Sequence, residues 1–203
     1  MKIIEIIIDS LFPPRVSELL VREADEQLVG TFYQPQNISA CICLSVYKNS
    51  TVSALVAENK FYGNKRAAKL LSILLVKWIN NQSSRLVFVP VPLGQKRRRE
   101  RGYNQVAEVL KYLKENDKLK VRQDLCSRTR ETPAQLSLKR AQRLTNVTGA
   151  FKANSNELTK LRDVTLVIVD DVHTTGSTMT AVRAELAPNL DNSCRIICVA
   201  LAH

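Results

Sequence analysis

The stretch that decides the fold is LVIVDDVHTTGST, residues 166–178. Its start belongs to a longer apolar run, residues 164–169, as expected of a strand buried on both faces of a parallel sheet. We expect residues 170–176 to form a loop that begins with two adjacent acids, and residues 177–187 to form a helix. A buried strand, a short loop and a helix in this order form one unit of an α/β protein.

The predicted loop has the chemistry of a sugar-phosphate site. The first turn of a helix leaves backbone N–H groups unpaired and carries partial positive charge, so it binds phosphate well. Gly176 lets the backbone approach a ligand closely, whereas Asp170 and Asp171 would repel phosphate and suit the cis-diol of a ribose or a Mg²⁺ ion. Hydroxyl donors come from four further residues, Thr174, Thr175, Ser177 and Thr178. The pattern therefore outlines ribose 5-phosphate.

Other interpretations of the same residues stay open. The two acids could be solvated turn residues, and the Ser and Thr residues could simply cap the helix, since both are common at N-caps. His173 lies in the same loop, where it either contacts the ligand or faces solvent.

A basic segment, VPVPLGQKRRRERGYNQ at residues 89–105, follows a second apolar run at 86–91. We expect the run to be a strand, the basic part to be a loop, and residues 103–115 to be a helix. Guanidinium and ammonium groups at the end of a strand suit a pyrophosphate. The candidate pyrophosphate ligands are Lys96, Arg97, Arg99 and Arg101.

A third polar segment covers residues 126–148 and shows no clear periodicity. A loop of this length in a compact domain usually has a function. We expect it to close over the site and exclude water. Its candidate binding residues are Arg128, Arg130, Gln135 and Arg140.

The spacing of these segments predicts the fold class. Further helices are predicted over 51–60 and 64–80, and a strand over 41–47. Alternating strands and helices favour an α/β fold with a doubly wound, mostly parallel sheet, in which ligands bind beyond the carboxyl ends of the strands. We expect a small N-terminal appendage over residues 1–40 and one α/β domain over 41–203.

Charge points to an anionic partner. Residues 85–148 hold 16 Lys and Arg against 6 Asp and Glu, so this stretch carries +10 of the net +11. Such a local excess suits a polyphosphate or a nucleic acid, and the alternative is a solvated face that only aids solubility.

The five cysteines are expected to be free thiols in a reducing, cytoplasmic compartment. None lies in a C-x-x-C pair and the chain has two His, so a zinc site is not expected. The apolar N-terminal stretch is too short for a membrane span. We do not expect a signal peptide, because Glu5 and Asp9 interrupt the stretch, Lys2 is the only basic residue before it and no small-residue cleavage site follows.

These segments together resemble the ComF-type competence family of phosphoribosyltransferase-like proteins, within the type I phosphoribosyltransferase superfamily. The resemblance rests on P-V-P-L…K-R-x-R-E-R-G-Y-N-Q, on R-x-R-x-T-x-x-Q…G-A-F, and on the segment at 166–178, and it covers roughly residues 41–203. It implies a phosphoribosyl pyrophosphate ligand that arrives as a Mg²⁺ complex. Asp170 and Asp171 would hold the ribose hydroxyls as the catalytic pair, and the loop over 174–178 would hold the 5-phosphate.

The sequence departs from that family at its start, because residues 1–40 lack the cysteines of the usual N-terminal zinc finger. No metal bound directly by the protein is carried over from the resemblance. Three functions stay open. The protein could transfer phosphoribosyl to an acceptor that the sequence does not reveal, sense phosphoribosyl pyrophosphate without turnover, or bind single-stranded DNA during uptake in competence. The oligomeric state is also open.

Overall fold

The protein is built around a six-stranded sheet in this computed structural model, which describes Asp9, residues 13–130 and residues 149–203. The strand order is β1-β2-β8-β7-β3-β4, and only the edge pair β1–β2 is antiparallel. A separate antiparallel pair is formed by β5 and β6. The strands are β1 (Gln36–Ile38), β2 (Cys41–Cys43), β3 (Arg85–Pro90), β4 (Leu119–Val121), β5 (Cys126–Arg128), β6 (Phe151–Ala153), β7 (Val164–Val172) and β8 (Arg195–Ala202).

Helices cover both faces of this sheet. They are α1 (Val16–Glu23), α2 (Glu26–Thr31), α3 (Ser50–Tyr62), α4 (Lys65–Ile79), α5 (Gln95–Arg101), α6 (Gln105–Leu110), α7 (Ser155–Leu158) and α8 (Ser177–Leu186), with a 3₁₀ turn at Ala187–Asn189. No helix in the described ranges is long and apolar enough to cross a membrane. The prediction of an α/β fold with a doubly wound, mostly parallel sheet is confirmed.

The central strand β7 explains why the apolar run is continuous. Val167 and Val169 pack into one core with helices α3, α4 and α6, whereas Leu166 and Ile168 pack into a second core with α8 and the β5–β6 pair. Successive side chains of a strand point to opposite faces, so a strand covered on both sides must be apolar at every position. At the end of the strand, Asp170 and Asp171 line a cleft.

Helices α3 and α4 lie close to where the periodicity predicted them. The side chain of Asn49 caps α3 by accepting a hydrogen bond from the Val52 amide, and Asn64 caps α4 in the same way. Between the two helices, Gly63 takes a left-handed conformation with φ of 63°. Such a residue ends a helix and lets the chain turn back at once.

The basic segment corrects the sequence prediction. Residues 95–101 form helix α5 rather than a loop, and Gly102 (φ 77°) ends it. The following helix begins at Gln105, because the Asn104 side chain accepts from the amides of residues 106 and 107, and it ends at Leu110 rather than 115.

Two loop predictions are also corrected. Strand β7 extends through Val172, so both acids belong to the strand and not to a loop. Residues 126–128 form strand β5 within the segment expected to be a loop. Residues 131–148 of that segment lie outside the described residues, as do most of residues 1–12.

The described part of the N-terminal region packs against the sheet's first core. Val21, Ala24 and Val29 are fully buried there, and the buried carboxylate of Glu58 on α3 accepts hydrogen bonds from Arg15 and Ser17. The division into an appendage and a domain at residue 40 stays a prediction.

Candidate functional site

A cleft of about 150 Å³ opens at the carboxyl end of β7. This is where the doubly wound topology places ligands, beyond the ends of parallel strands. Loops after β3 and β7, helix α5 and the end of β5 meet there. The polar residues that line the cleft are Lys60, Arg97, Arg101, Gln105, Arg128, Asp170, Asp171, His173, Thr174, Thr175, Ser177 and Thr178.

The two acids at the end of β7 are held by different contacts. Asp171 is 5% exposed, and its Oδ2 lies 2.7 Å from Lys60 Nζ and accepts a hydrogen bond from Gln105 Nε2. Its Oδ1 accepts from the Val172 amide. Asp170 is half-buried, and its carboxylate accepts from the Asp171 amide. Neither residue is a solvated turn acid, which removes that interpretation.

The two carboxyls differ in pKa because their surroundings differ. Burial and the nearby Asp171 carboxylate raise the pKa of Asp170 well above its usual range. Burial alone would also raise the pKa of Asp171, but the Lys60 ammonium outweighs it, so this pKa lies below its ordinary value. The pair thus carries one firmly held negative charge at Asp171 beside a group that readily holds a proton.

The loop after β7 presents a helix N-terminus to the cleft. Gly176 is the N-cap of α8 with φ of 72°, and no side-chain hydrogen bond caps the helix there. The hydroxyls of Thr175 and Ser177 lie 3.0 Å apart, and Ser177 is buried. The first amides of α8 are therefore available to an anion, and phosphate binding by the 174–178 segment stays a prediction.

Helix α5 turns only part of the predicted basic cluster towards the cleft. Arg97 and Arg101 line it, and residues four apart lie on one face of a helix. Arg101 also donates to Gln105 Oε1, so Gln105 bridges this arginine and Asp171. Lys96 and Arg99 are exposed and are not among the residues that line the cleft.

The described part of the third predicted segment, residues 126–130, reaches the cleft through one residue. Arg128, at the end of β5, lines the cleft and lies 5.3 Å from the Phe151 ring centroid. Arg130 is exposed, and its carbonyl accepts a hydrogen bond from Arg128. Gln135 and Arg140 lie outside the described residues.

Two residues of the site were not assigned a role from the sequence. Lys60 and Gln105 both contact Asp171, yet they lie in helices far from it along the chain. Each is held by its surroundings, since the Tyr103 hydroxyl donates to the Lys60 carbonyl and Asn59 Nδ2 donates to the Gln105 carbonyl. A buried acid at a strand end requires a charged or hydrogen-bonding partner. The sequence around the acid does not show which residue is that partner.

No family model matches the chain, and no curated protein matches it. Two similar solved structures are a phosphoribosyltransferase from Corynebacterium diphtheriae and the orotate phosphoribosyltransferase of Mycobacterium tuberculosis H37Rv in complex with Fe(III) dicitrate. The first is 15% identical over 86% of this chain and 76% of that chain, with a TM-score of 0.37. The second is 13% identical over 86% and 78%, also with a TM-score of 0.37. A likeness at this level does not show what the chain binds.

Proposed function

We propose that the cleft at the end of β7 binds phosphoribosyl pyrophosphate with Mg²⁺, and that the protein is a phosphoribosyltransferase of the ComF kind. The observation that carries this proposal is the meeting of three features in one cleft. The acid pair Asp170 and Asp171 lines the same cleft as the N-terminus of α8 and as Arg97 and Arg101 of α5.

The ribose 5-phosphate would bind to the loop after β7 and to the acid pair. The amides and hydroxyls of residues 174–178 donate to a 5-phosphate, and the partial positive charge of the helix end favours its negative charge. Carboxylate oxygens of Asp170 and Asp171 accept hydrogen bonds from the two ribose hydroxyls. Lys60 and Gln105 fix the position of Asp171 before the ligand arrives, so that ordering costs little on binding.

The pyrophosphate would bind to the arginines of α5. Arg97 and Arg101 offer forked N–H donors, and such charge-assisted hydrogen bonds are among the stronger ones in proteins. Mg²⁺ prefers oxygen ligands and usually binds proteins through one or two carboxylates plus substrate phosphates. Asp170 and Asp171 are the carboxylates that could contribute here, which fits a metal that arrives on the ligand and neutralises charge on the pyrophosphate.

In the proposed reaction, the bond between ribose C1 and pyrophosphate breaks and an acceptor nucleophile bonds to C1. The pyrophosphate leaves with the bonding electron pair, through a transition state with oxocarbenium character. The protein needs no covalent nucleophile for this. Fixed carboxylates hold the ribose, and Arg97 and Arg101 stabilise the negative charge that grows on the leaving group.

The test is calorimetric titration of phosphoribosyl pyrophosphate with Mg²⁺ into three proteins: the wild type, Arg97→Ala and Arg99→Ala. The two arginines lie two residues apart on α5, but only Arg97 lines the cleft. Loss of a hydrogen bond to a charged group costs about 1.5–3 kcal/mol, so Arg97→Ala should weaken binding by about tenfold or more. Arg99→Ala should leave the affinity nearly unchanged. Equal losses in the two variants, or no binding by the wild type, would contradict the proposal.

A second candidate function is single-stranded DNA binding in competence. One observation favours it: α5 carries exposed cations that do not line the cleft, namely Lys96, Arg98 and Arg99. A basic surface of this kind tracks phosphates without reading bases, and its binding weakens steeply as salt rises. Replacing all three residues by Ala should lower DNA affinity and flatten its salt dependence while leaving phosphoribosyl pyrophosphate binding intact. DNA binding that the triple variant retains would refute this second candidate.

A further inference from the structure

Two cysteines of β2 and a histidine after β7 meet beside the cleft. Cys41 and Cys43 are two residues apart on a strand, so their side chains share one face of the sheet. One potential ligand atom from each cysteine and from His173 lies within 4.8 Å of the other two. In the part of the chain that the structure describes, this is the one group of three or more His, Cys, Asp or Glu residues so placed.

The histidine is buried with a polar atom unsatisfied. His173 is only 6% exposed, so it does not face solvent, and its Nδ1 has no hydrogen-bond partner among the described residues. An unpaired buried nitrogen costs about 1–3 kcal/mol, and native structures rarely keep one without a reason. Cys41 and Cys43 beside it are 2% and 0% exposed. A ligand that accepts electron pairs from this nitrogen and both sulfurs would account for all three.

The chemistry of the three groups selects the kind of ligand. Thiolate sulfur and imidazole nitrogen bind zinc and copper, whereas Mg²⁺ and Ca²⁺ prefer oxygen. Two thiolates and a neutral imidazole leave no net charge once Zn²⁺ is bound, and a buried site with no net charge avoids a large desolvation penalty. The same ligands around Cu⁺ would leave one negative charge. Charge balance therefore favours Zn²⁺.

The geometry is close to what zinc needs. Ligand atoms of a tetrahedral zinc ion lie about 3.7 Å apart, so the three atoms must approach one another by about 1 Å at most. His173 and Met179 also line the cleft, which gives the ion a way in. Met179 Sδ lies 3.5 Å from Cys41 Sγ and completes a sulfur-rich wall.

We propose that Cys41, Cys43 and His173 form a Zn²⁺ site beneath the loop that follows β7. The sequence predicted no zinc site, because His173 is separated from the cysteine pair by 130 residues, and β2 and β7 come near each other only because both pair with β8. The site goes beyond the proposed phosphoribosyl chemistry and does not depend on it. It would also fix the His173 ring, whose Cε1 lies only 2.8 Å from the place a Cβ on Gly176 would occupy. Zinc would thereby support the floor of the loop.

The proposal is tested by metal binding to the intact chain, with no sugar phosphate present. The wild type is loaded with Zn²⁺, excess metal is removed by gel filtration, and zinc is measured by mass spectrometry. About one zinc per chain should remain, as for a site with three protein ligands. Loading with Co²⁺ should give thiolate-to-cobalt charge-transfer absorption, which needs no substitution and reports sulfur ligation directly. A wild type that retains almost no zinc, or Co²⁺ bound without this absorption, would overturn the proposal.

Matched variants then identify the ligands. Cys43→Ala and His173→Gln should each lose most of the bound zinc. The control is Cys198→Ala, since Cys198 is buried in the same core and pairs with Cys41 across the β2–β8 ladder, but is not one of the three ligands. This control should keep its zinc and its cobalt spectrum. Equal zinc loss from Cys198→Ala and Cys43→Ala would mean that core disruption, not ligation, explains the result, and would refute the assignment.

Discussion

Replacing Lys60 by Met tests whether the acid pair in the cleft depends on one buried cation. Lys60 Nζ lies 2.7 Å from Asp171 Oδ2, and the two side chains are 27% and 7% exposed. Methionine keeps an apolar stem of similar length and removes only the charge. The carboxylate of Asp171 would then stay buried, with Gln105 and a backbone amide as its remaining partners.

The expected loss of stability follows from this burial. Breaking a buried ion pair by removing one partner costs about 3–5 kcal/mol. The residual exposure of Lys60 and the two retained hydrogen bonds of Asp171 lower this to about 2–3 kcal/mol. The loss also has an upper bound, because the stranded carboxylate can take up a proton instead, at a cost of about 4 kcal/mol at pH 7.

Lys69→Met is the matched control. Lys69 Nζ lies 2.7 Å from Glu26 Oε1, the same distance as in the buried pair, but both side chains are more than half exposed. An exposed pair contributes about 0–1 kcal/mol. Urea unfolding of both variants, followed by the fluorescence of the single tryptophan, Trp78, gives the two free energies of unfolding. Similar losses in the two variants would refute the claim that burial sets the strength of the Lys60–Asp171 pair.

Adding Asp171→Asn to Lys60→Met supplies a further check, because it removes the uncompensated charge. The double variant should be more stable than Lys60→Met alone. A further loss on adding Asp171→Asn would contradict the electrostatic explanation.

Two other predictions concern the loop and the pH dependence of folding. Gly176→Ala should lower the free energy of unfolding by about 1–2 kcal/mol more than Gly102→Ala. Both substitutions put alanine at a left-handed φ, but only the first places a Cβ 2.8 Å from the His173 ring. Equal losses of the free energy of unfolding in urea would contradict this. Burial of Glu58 opposes its ionisation, but hydrogen bonds from Arg15, Ser17 and Asn64 outweigh this effect and hold the pKa of Glu58 below the usual value. Its stabilising contribution is therefore present above the unfolded-state pKa and is lost as pH falls through the folded-state pKa. Glu58→Gln should be less stable than the wild type at pH 7, and this difference should shrink between about pH 5 and pH 3; a difference that does not change with pH would count against the assignment.

The sheet could be predicted because its signals are local. All six residues at 164–169 are buried and all but Thr165 are apolar, which is typical of a strand covered on both faces. Helix α4 repeats its buried residues at three- and four-residue spacing, and Asn64 marks its start. Both elements can therefore be recognised from their own residues.

The sequence did not predict helix α5, because its residues show no such pattern. Its seven residues are polar or charged and none is buried, so no apolar periodicity marks a helix. Its boundary is set by the left-handed Gly102. Knowing the helix matters for function, since it is the helix that turns Arg97 and Arg101 to the cleft and leaves Arg99 outside.

The partners of the site residues depend on contacts distant in sequence. The acid pair and the loop after it could be recognised within one segment of the chain. Lys60 lies 111 residues before Asp171, and only the packing of α3 against the end of β7 joins them. The cysteine–histidine group has the same character, because strand order rather than spacing along the chain brings β2 near the end of β7.

The most direct test of the central claim is calorimetric titration of phosphoribosyl pyrophosphate with Mg²⁺ into the wild type and into Asp170→Asn/Asp171→Asn. Substitution by Asn keeps the size of both side chains, removes the negative charge of Asp171 and replaces one carboxyl oxygen by an amide nitrogen at each position. The account predicts saturable one-site binding by the wild type and binding about thirtyfold weaker or more by the double variant, as expected when one hydrogen bond to a charged group and one neutral hydrogen bond are lost. Binding of equal strength in both proteins would place the ligand elsewhere, and no binding by the wild type would contradict the claim outright.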